Sequence, residues 1–368
     1  MIRWAILGTS FISDTMAKAI AASPGSEAVI VVGRDLKRLE TFRSKHGITR
    51  ALSSLEEAVS DDLVDAVYVG TPNHVHHEAV IVAAAAGKAV LSEKSLAVSM
   101  DQTIALLSAV EGKVFFVEGL MYLAHPLMEK FVSVLNDGRL GELKTIHASY
   151  AANIAHLVNP AGRGAIYNLG CYPASLVQLV VDTLSGSFDG SLDGSLDGLL
   201  NGLLDGSLEA SVSRISGRSF SSAFRDHTLT AQGTISSVDG NISESVAAIE
   251  FANGVLATVH TAETYGNASR FEVHGKSGTL TFLSNPWLPG RGENSFVWNG
   301  FDGGSETFVV SDPLDAFDHQ VRMVERNLEA RRLEAQRPSP RLSDSLELMR
   351  FLTAWEQRSF DKNLPQGA

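Results

Sequence analysis

The sequence predicts an α/β protein of two domains: a doubly wound parallel sheet of the Rossmann type, then an α+β domain on a large, mainly antiparallel open sheet. Three observations carry this. The chain has 368 residues, more than a single core comfortably serves. Its first third alternates short apolar runs with helical periodicity, the pattern of βαβ units. Beyond about residue 120, alternating strand-like runs follow one another across turn signals. The boundary is set at 1–120 and 121–368.

Taking the elements in order, Arg3–Leu7 reads as the first strand, Thr15–Ala22 as a helix, Glu27–Val32 as a second buried strand and Leu36–His46 as the next helix. Ala66–Gly70, Ala89–Leu91 and Val114–Val117 continue the parallel sheet, with helices at His76–Ala86 and Met100–Val110, and the doubly wound unit ends near Gly119. Leu143–Tyr150, Glu244–Phe251, Val255–Thr261, Arg270–Val273 and Thr279–Leu283 read as strands of the second sheet, with turns at Ala252-Asn253-Gly254 and Gly275–Gly278. Amphipathic helices are expected at Asp315–Glu334 and Ser343–Arg358, around a Pro338-Ser339-Pro340 break.

Composition narrows the function. A hydrophobic content of 44% and a charged content of 20% are those of a globular protein. A net charge of -12 opposes contact with nucleic acid or an anionic membrane surface. The single cysteine, Cys171, allows no internal disulfide. With neither a signal-peptide pattern nor an apolar run of spanning length, a cytoplasmic protein is expected. Residues 187–210 repeat a four-residue unit of the Ser-Leu-Asp-Gly kind. Its period is not that of calcium-binding nonapeptides, and glycine at every fourth position disfavours a helix, so a surface insertion is the reading.

Gly8-Thr9-Ser10-Phe11-Ile12-Ser13 follows a strand and opens a helix, the setting in which backbone N–H groups hold a pyrophosphate. Only the first glycine of the three-glycine pattern is present. A plain strand-to-helix turn would read the same way without further support. That support comes from the second strand, which ends at Gly33-Arg34, with Lys37 and Arg38 one turn on. An acid there would take the ribose hydroxyls; a cationic cluster instead suits a 2′-phosphate, so NADP is expected over NAD.

Two further strand ends carry reactive side chains. Gly70-Thr71-Pro72-Asn73-His74-Val75-His76-His77 lies at the carboxyl edge of the sheet, where such folds bind ligands. Three histidines invite a zinc reading, but no Cys or carboxylate stands at ligand spacing, and no metal is expected. Ser92-Glu93-Lys94-Ser95 places an acid and a lysine past the next strand, and Glu118–Pro126 and Gly162–Pro173 complete the set.

In this order, Glu-Lys, M-Y-x-x-H-P and G-x-G-A-x-x-x-x-G-C-Y-P, the sequence resembles the Gfo/Idh/MocA oxidoreductases over nearly its whole length. The likeness is nearest to the branch of dimeric dihydrodiol dehydrogenases, NADP-dependent D-xylose dehydrogenases and glucose-fructose oxidoreductases. The resemblance implies that Lys94 and Tyr172 lie beside the nicotinamide. It implies Thr71, Pro72, Asn73, His76 and Glu93 about the cofactor, and Tyr122, Asn153, His156 and Asn168 about a carbohydrate, polyol or trans-dihydrodiol. A homodimer, or a tetramer built from dimers, is expected too.

The chemistry explains the residue types. Removing hydride from a carbinol leaves a hydroxyl proton to be taken up, and a tyrosine whose phenolate is stabilised by a lysine can take it. Three positions depart from the pattern. Ser95 stands where proline usually follows the lysine, Arg163 interrupts a glycine run, and Asn168 replaces an aspartate. These motivate a second expectation, a catalytically weak cofactor-binding sensor or regulator of the same fold.

Overall fold

The computed structural model describes residues 1–185 and 222–361. The repeat at 187–210 lies outside the described residues. Six strands form the first sheet: β1 (Ile2–Leu7), β2 (Ser26–Val32), β3 (Arg50–Leu52), β4 (Ala66–Val69), β5 (Ala89–Ser92) and β6 (Phe116–Glu118). Their order is β3-β2-β1-β4-β5-β6, every pairing parallel, so the order reverses beside β1. Their burial on both faces explains why β4 and β5 are continuous apolar runs.

Helices α1 (Phe11–Ala22), α2 (Leu36–His46), α3 (Leu55–Val59), α4 (His76–Ala85) and α5 (Met100–Val110) flank this sheet. Helix α1 starts four residues before the periodicity suggests, because the Ser10 side chain caps it by accepting from the Ser13 N–H. Strand β3 and the short α3 carry too little apolar periodicity to be read from sequence.

After α6 (Pro126–Leu135), the second sheet opens with β7 (Leu143–Ala152), and α7 (Cys171–Leu184) follows. The strands β8 (His227–Ile235), β9 (Ile242–Phe251), β10 (Leu256–Ala262), β11 (Asn267–Gly275), β12 (Gly278–Phe282), β13 (Gly292–Gly300) and β14 (Ser305–Asp312) complete it. The order is β14-β13-β12-β11-β7-β10-β9-β8, antiparallel throughout except that β7 and β10 run parallel. One face packs on α6, α7 and the final helix α9 (Leu342–Phe360). The other carries His147, Ser149, Val246, Thr258 and His260 around a concavity of about 260 Å³.

The chain then returns to the first sheet. Helix α8 (Ala316–Glu329) packs on α1, and its Glu325 accepts from the Ser23 and Ser26 hydroxyls at 2.7 and 2.5 Å. It stops five residues short of the expected Glu334. Arg331 adopts a left-handed φ of 53°, and Glu334 is drawn into a parallel bridge with Phe116 at the sheet edge. No helix among the described residues is long and apolar enough to cross a membrane.

Candidate active site

The first site residues sit on the turn from β1 to α1. Gly8 has φ 109°, and a Cβ there would lie 2.8 Å from the Gly70 carbonyl oxygen, so only glycine brings β1 and β4 this close. Ser10 donates to that carbonyl at 3.2 Å and caps α1, leaving the N–H groups of the first helical turn, at Phe11 and Ile12, facing outward. Phe11 is exposed.

Gly33, Arg34 and Arg38 lie beside this turn at the end of β2. The Arg38 guanidinium donates to the Thr9 carbonyl at 3.3 Å, and Asp35 caps α2 by accepting from the Lys37 and Arg38 N–H groups. Arg34 and Lys37 are exposed.

At the end of β4, Thr71-Pro72-Asn73 turns into α4. Asn73 is buried and its amide donates to the Gly162 carbonyl at 3.2 Å. His76 is fully buried between two carbonyl oxygens, Ser95 O at 2.9 Å from Nδ1 and Thr71 O at 2.7 Å from Nε2. Burial pushes its pKa down to about 4, against the pull of those two acceptors. The Thr71 hydroxyl is buried with no partner among the described residues. His74 and His77 lie in the same segment, yet no group of three His, Cys, Asp or Glu converges as a metal set among the described residues.

Glu93 and Lys94 follow β5. The Tyr68 hydroxyl donates to the Glu93 carboxylate at 2.8 Å; burial raises the pKa of both groups. The Lys94 ammonium lies 4.8 Å from the centroid of the Tyr172 ring and donates to the main-chain carbonyl of Asn168 at 2.6 Å. Ser95, in place of a proline, is held by hydrogen bonds: its hydroxyl donates to Tyr167 O at 2.7 Å and its carbonyl meets His76. The Lys94–Ser95 peptide is cis.

Tyr172 opens α7, after a π-helical turn over Ile166–Gly170 that carries Asn168. It is 7% exposed, its ring meets that of Tyr150 edge-on at 5.3 Å, and its hydroxyl points at the Met121 sulfur, 3.7 Å away. Burial, then neighbouring Cys171 and Glu93, raise its pKa well above the ordinary 10. The Asn168 amide donates at 2.8 Å to the carboxylate of Glu263, a buried residue.

The structure thus brings Lys94, Asn168 and Tyr172 together at the carboxyl edge of the first sheet, beside Asn73 and His76. It does not bring Tyr122 to the open side: that ring is fully buried and its hydroxyl pairs with Ser175 at 2.8 Å. Asn153 and His156 are exposed on the segment after β7. Arg163, the interruption in the glycine run, takes a left-handed φ of 64° and pairs at 2.6 Å with Glu356, a residue 3% exposed. Sequence spacing marks neither Glu263 nor Glu356. Each is a single acid at the end of a strand or helix pattern, and only the fold brings it to Asn168 or Arg163.

The donor set suits a dinucleotide on three counts: a turn that admits only glycine at position 8, outward-facing N–H groups at the head of α1, and an unpartnered buried hydroxyl on Thr71. Residues 2–118 match the model of a family described as an oxidoreductase family with an NAD-binding Rossmann fold. Over 186 residues the chain is 33% identical to trans-1,2-dihydrobenzene-1,2-diol dehydrogenase of Macaca fuscata fuscata, covering 49% of this chain and 56% of that protein. The match therefore spans little more than half the length of that relative. Among solved structures, a 3-ketoreductase from Actinomadura kijaniata in complex with NADP and TDP-benzene aligns with a TM-score of 0.75 at 21% identity over 97% of each chain. An aldose-aldose oxidoreductase from Caulobacter crescentus aligns at 0.74 with 19% identity over 98% of each chain. At these identities the likeness is one of fold. Over residues 2–118 the chain is thus similar to the Gfo/Idh/MocA oxidoreductases, whose NAD-binding Rossmann fold that segment matches.

Proposed function

We propose that the protein is an NADP-dependent dehydrogenase or reductase acting on the CH–OH group of a sugar, polyol or trans-dihydrodiol, with Lys94 and Tyr172 handling the proton. The observation that carries this is the placement of the Lys94 ammonium over the Tyr172 ring, at the edge of the sheet where β4 and β5 end.

The nicotinamide, when bound, exchanges hydride with the carbinol carbon. The protein's own part is to bind, orient and move a proton. Gly8, Thr9, Ser10, Phe11 and Ile12 offer the pyrophosphate turn, Gly33, Arg34 and Arg38 the adenosine end, and Thr71, Pro72, Asn73, His76, Glu93 and Lys94 the nicotinamide end. The Tyr172 hydroxyl takes the carbinol proton in oxidation and returns it in reduction. A cation over its ring favours the phenolate, which burial otherwise disfavours. Asn168, Asn153 and His156 supply hydrogen-bonding groups for other hydroxyls of the substrate, and Tyr122 supports the Tyr172 ring from behind, at 6.1 Å between centroids.

In this reading residues 1–120 hold the cofactor and 121–368 complete the substrate side, and the protein works in the cytoplasm. A second copy of the chain covers the outer face of the second sheet, where Val246 and Leu256 are 46% and 50% exposed.

The experiment is fluorescence titration with NADPH and NADH, followed by turnover of trans-1,2-dihydrobenzene-1,2-diol, aldoses and polyols, with size-exclusion chromatography for the dimer. NADPH binding with turnover of at least one of these supports the reading. NADPH binding with none would favour a cofactor-binding sensor, and binding of neither nucleotide overturns it.

A further inference from the structure

Glu263, the residue immediately after β10, meets two parts of the candidate site at once. Its carboxylate accepts from the Asn168 amide at 2.8 Å. Its main-chain carbonyl accepts from the N–H groups of Ile154 and Ala155, both at 2.9 Å, and its own N–H donates to the Ser243 carbonyl at 3.0 Å. The side chain is only 3% exposed. A carboxylate can only accept, so the Asn168 NH₂ must face Glu263 and the amide oxygen must face the other way. That oxygen looks toward Gly162, whose carbonyl is in turn held by Asn73.

We propose that Glu263 is a positioning residue for the reaction. Its buried carboxylate fixes Asn168 with the amide oxygen turned away from Glu263, toward Gly162 and Asn73, and its main chain fixes the segment that bears Asn153 and His156. The inference rests on the reading of this cleft as an oxidoreductase site for polyhydroxylated substrates.

The electrostatics give the arrangement its purpose. A neutral amide backed by a carboxylate is polarised, so its oxygen accepts from a substrate hydroxyl more strongly than a free amide would. The Lys94 ammonium is held separately, by the main-chain carbonyl of Asn168 at 2.6 Å. The Asn168–Glu263 pair therefore contains one acid. A second carboxylate at position 168 would face Glu263 at hydrogen-bond distance, two acceptors held together only while they share a proton.

The test is a charge-exchange cycle in the full-length protein, using whichever of trans-1,2-dihydrobenzene-1,2-diol, the aldoses or the polyols the wild type turns over. Glu263→Gln should raise KM about 10- to 100-fold, as expected for losing a charged hydrogen-bond partner, with a smaller change in kcat and unchanged NADPH affinity. Asn168→Asp alone should show a KM that climbs from pH 5 to pH 8 and a thermal midpoint that falls over the same range, as the two carboxyl groups lose their shared proton. Combining Asn168→Asp with Glu263→Gln should remove both pH dependences and bring KM back below that of either single variant. An active wild type whose KM is unmoved by Glu263→Gln, or a double variant no better than the worse single one, overturns the positioning role alone. A wild type that turns over none of the panel overturns the underlying oxidoreductase reading, and this role with it.

Discussion

The Lys94 ammonium sits 4.8 Å above the Tyr172 ring while donating to the Asn168 carbonyl, so a single side chain joins the end of β5 to the turn that opens α7. If the two residues act as a unit, Tyr172→Phe and Lys94→Met should each lower kcat by about 10²- to 10⁴-fold, with the double variant little worse than the worse single one. NADPH titration should show Tyr172→Phe binding as the wild type does. Additive losses would mean that the two side chains contribute independently.

In the proposed function, cofactor choice turns on the end of β2. Arg34 is exposed, and Arg38 is tied to the Thr9 carbonyl across the glycine turn. Replacing both by alanine should weaken NADPH about 10- to 100-fold while changing NADH by less than about threefold, because only the former carries the 2′-phosphate. Isothermal titration with both nucleotides measures this, and equal losses would contradict it.

Much of the fold is legible in the sequence. The runs Trp4–Leu7, Ala28–Val32, Ala66–Val69 and Ala89–Leu91 within β1, β2, β4 and β5 are apolar on both faces, the pattern of buried parallel strands, and α2 and α5 are readable to the residue. Strands β13 and β14 are not, since buried Asn294 interrupts the apolar face of β13 and exposed Val309 the polar face of β14. At the site, motifs are enough to name Lys94, Asn168 and Tyr172. They name Tyr122 too, but not the inward turn of its hydroxyl to Ser175, which depends on how α7 packs. Ser95 is the instructive case. As a missing proline it suggests a loosened lysine, whereas its hydroxyl and carbonyl are both held. Contacts that close only in three dimensions, such as Asn168 with Glu263, leave no trace in local spacing.

Glu118 offers a pH test. Its carboxyl group is buried, accepts from the Leu96 N–H at 2.9 Å and from the Ser345 hydroxyl at 2.6 Å, and burial pushes its pKa up to about 7 from an ordinary 4.5. A folded-state pKa above the unfolded one means that the native state binds the extra proton. The associated stability is full below about pH 4.5 and is lost as pH rises through about 7. Glu118→Gln removes this loss. Its thermal midpoint should gain on the wild type between pH 5 and pH 8, and a constant difference would show that Glu118 does not titrate there.

Arg163 is expected to matter for stability. Its guanidinium pairs with Glu356 at 2.6 Å, donates to Val98 O at 2.7 Å and faces the Tyr167 ring. Arg163→Ala leaves a buried carboxylate without its cation. Since the arginine itself is partly exposed, the expected loss is about 1–3 kcal/mol in urea unfolding. Adding Glu356→Gln should recover part of it; no recovery would mean that the charge pair is not the source of the loss.

Tyr172 is proposed to exchange a proton with a substrate carbinol whose hydride goes to NADP. The most direct measurement is the absorbance of NADPH at about 340 nm during turnover of the diol, aldose and polyol panel by the wild type and Tyr172→Phe, each first shown to bind NADPH. The expected result is turnover of at least one substrate by the wild type and a loss of about 10²-fold or more in kcat for the variant. A Tyr172→Phe protein that keeps wild-type kcat on that substrate would contradict the proton-transfer role.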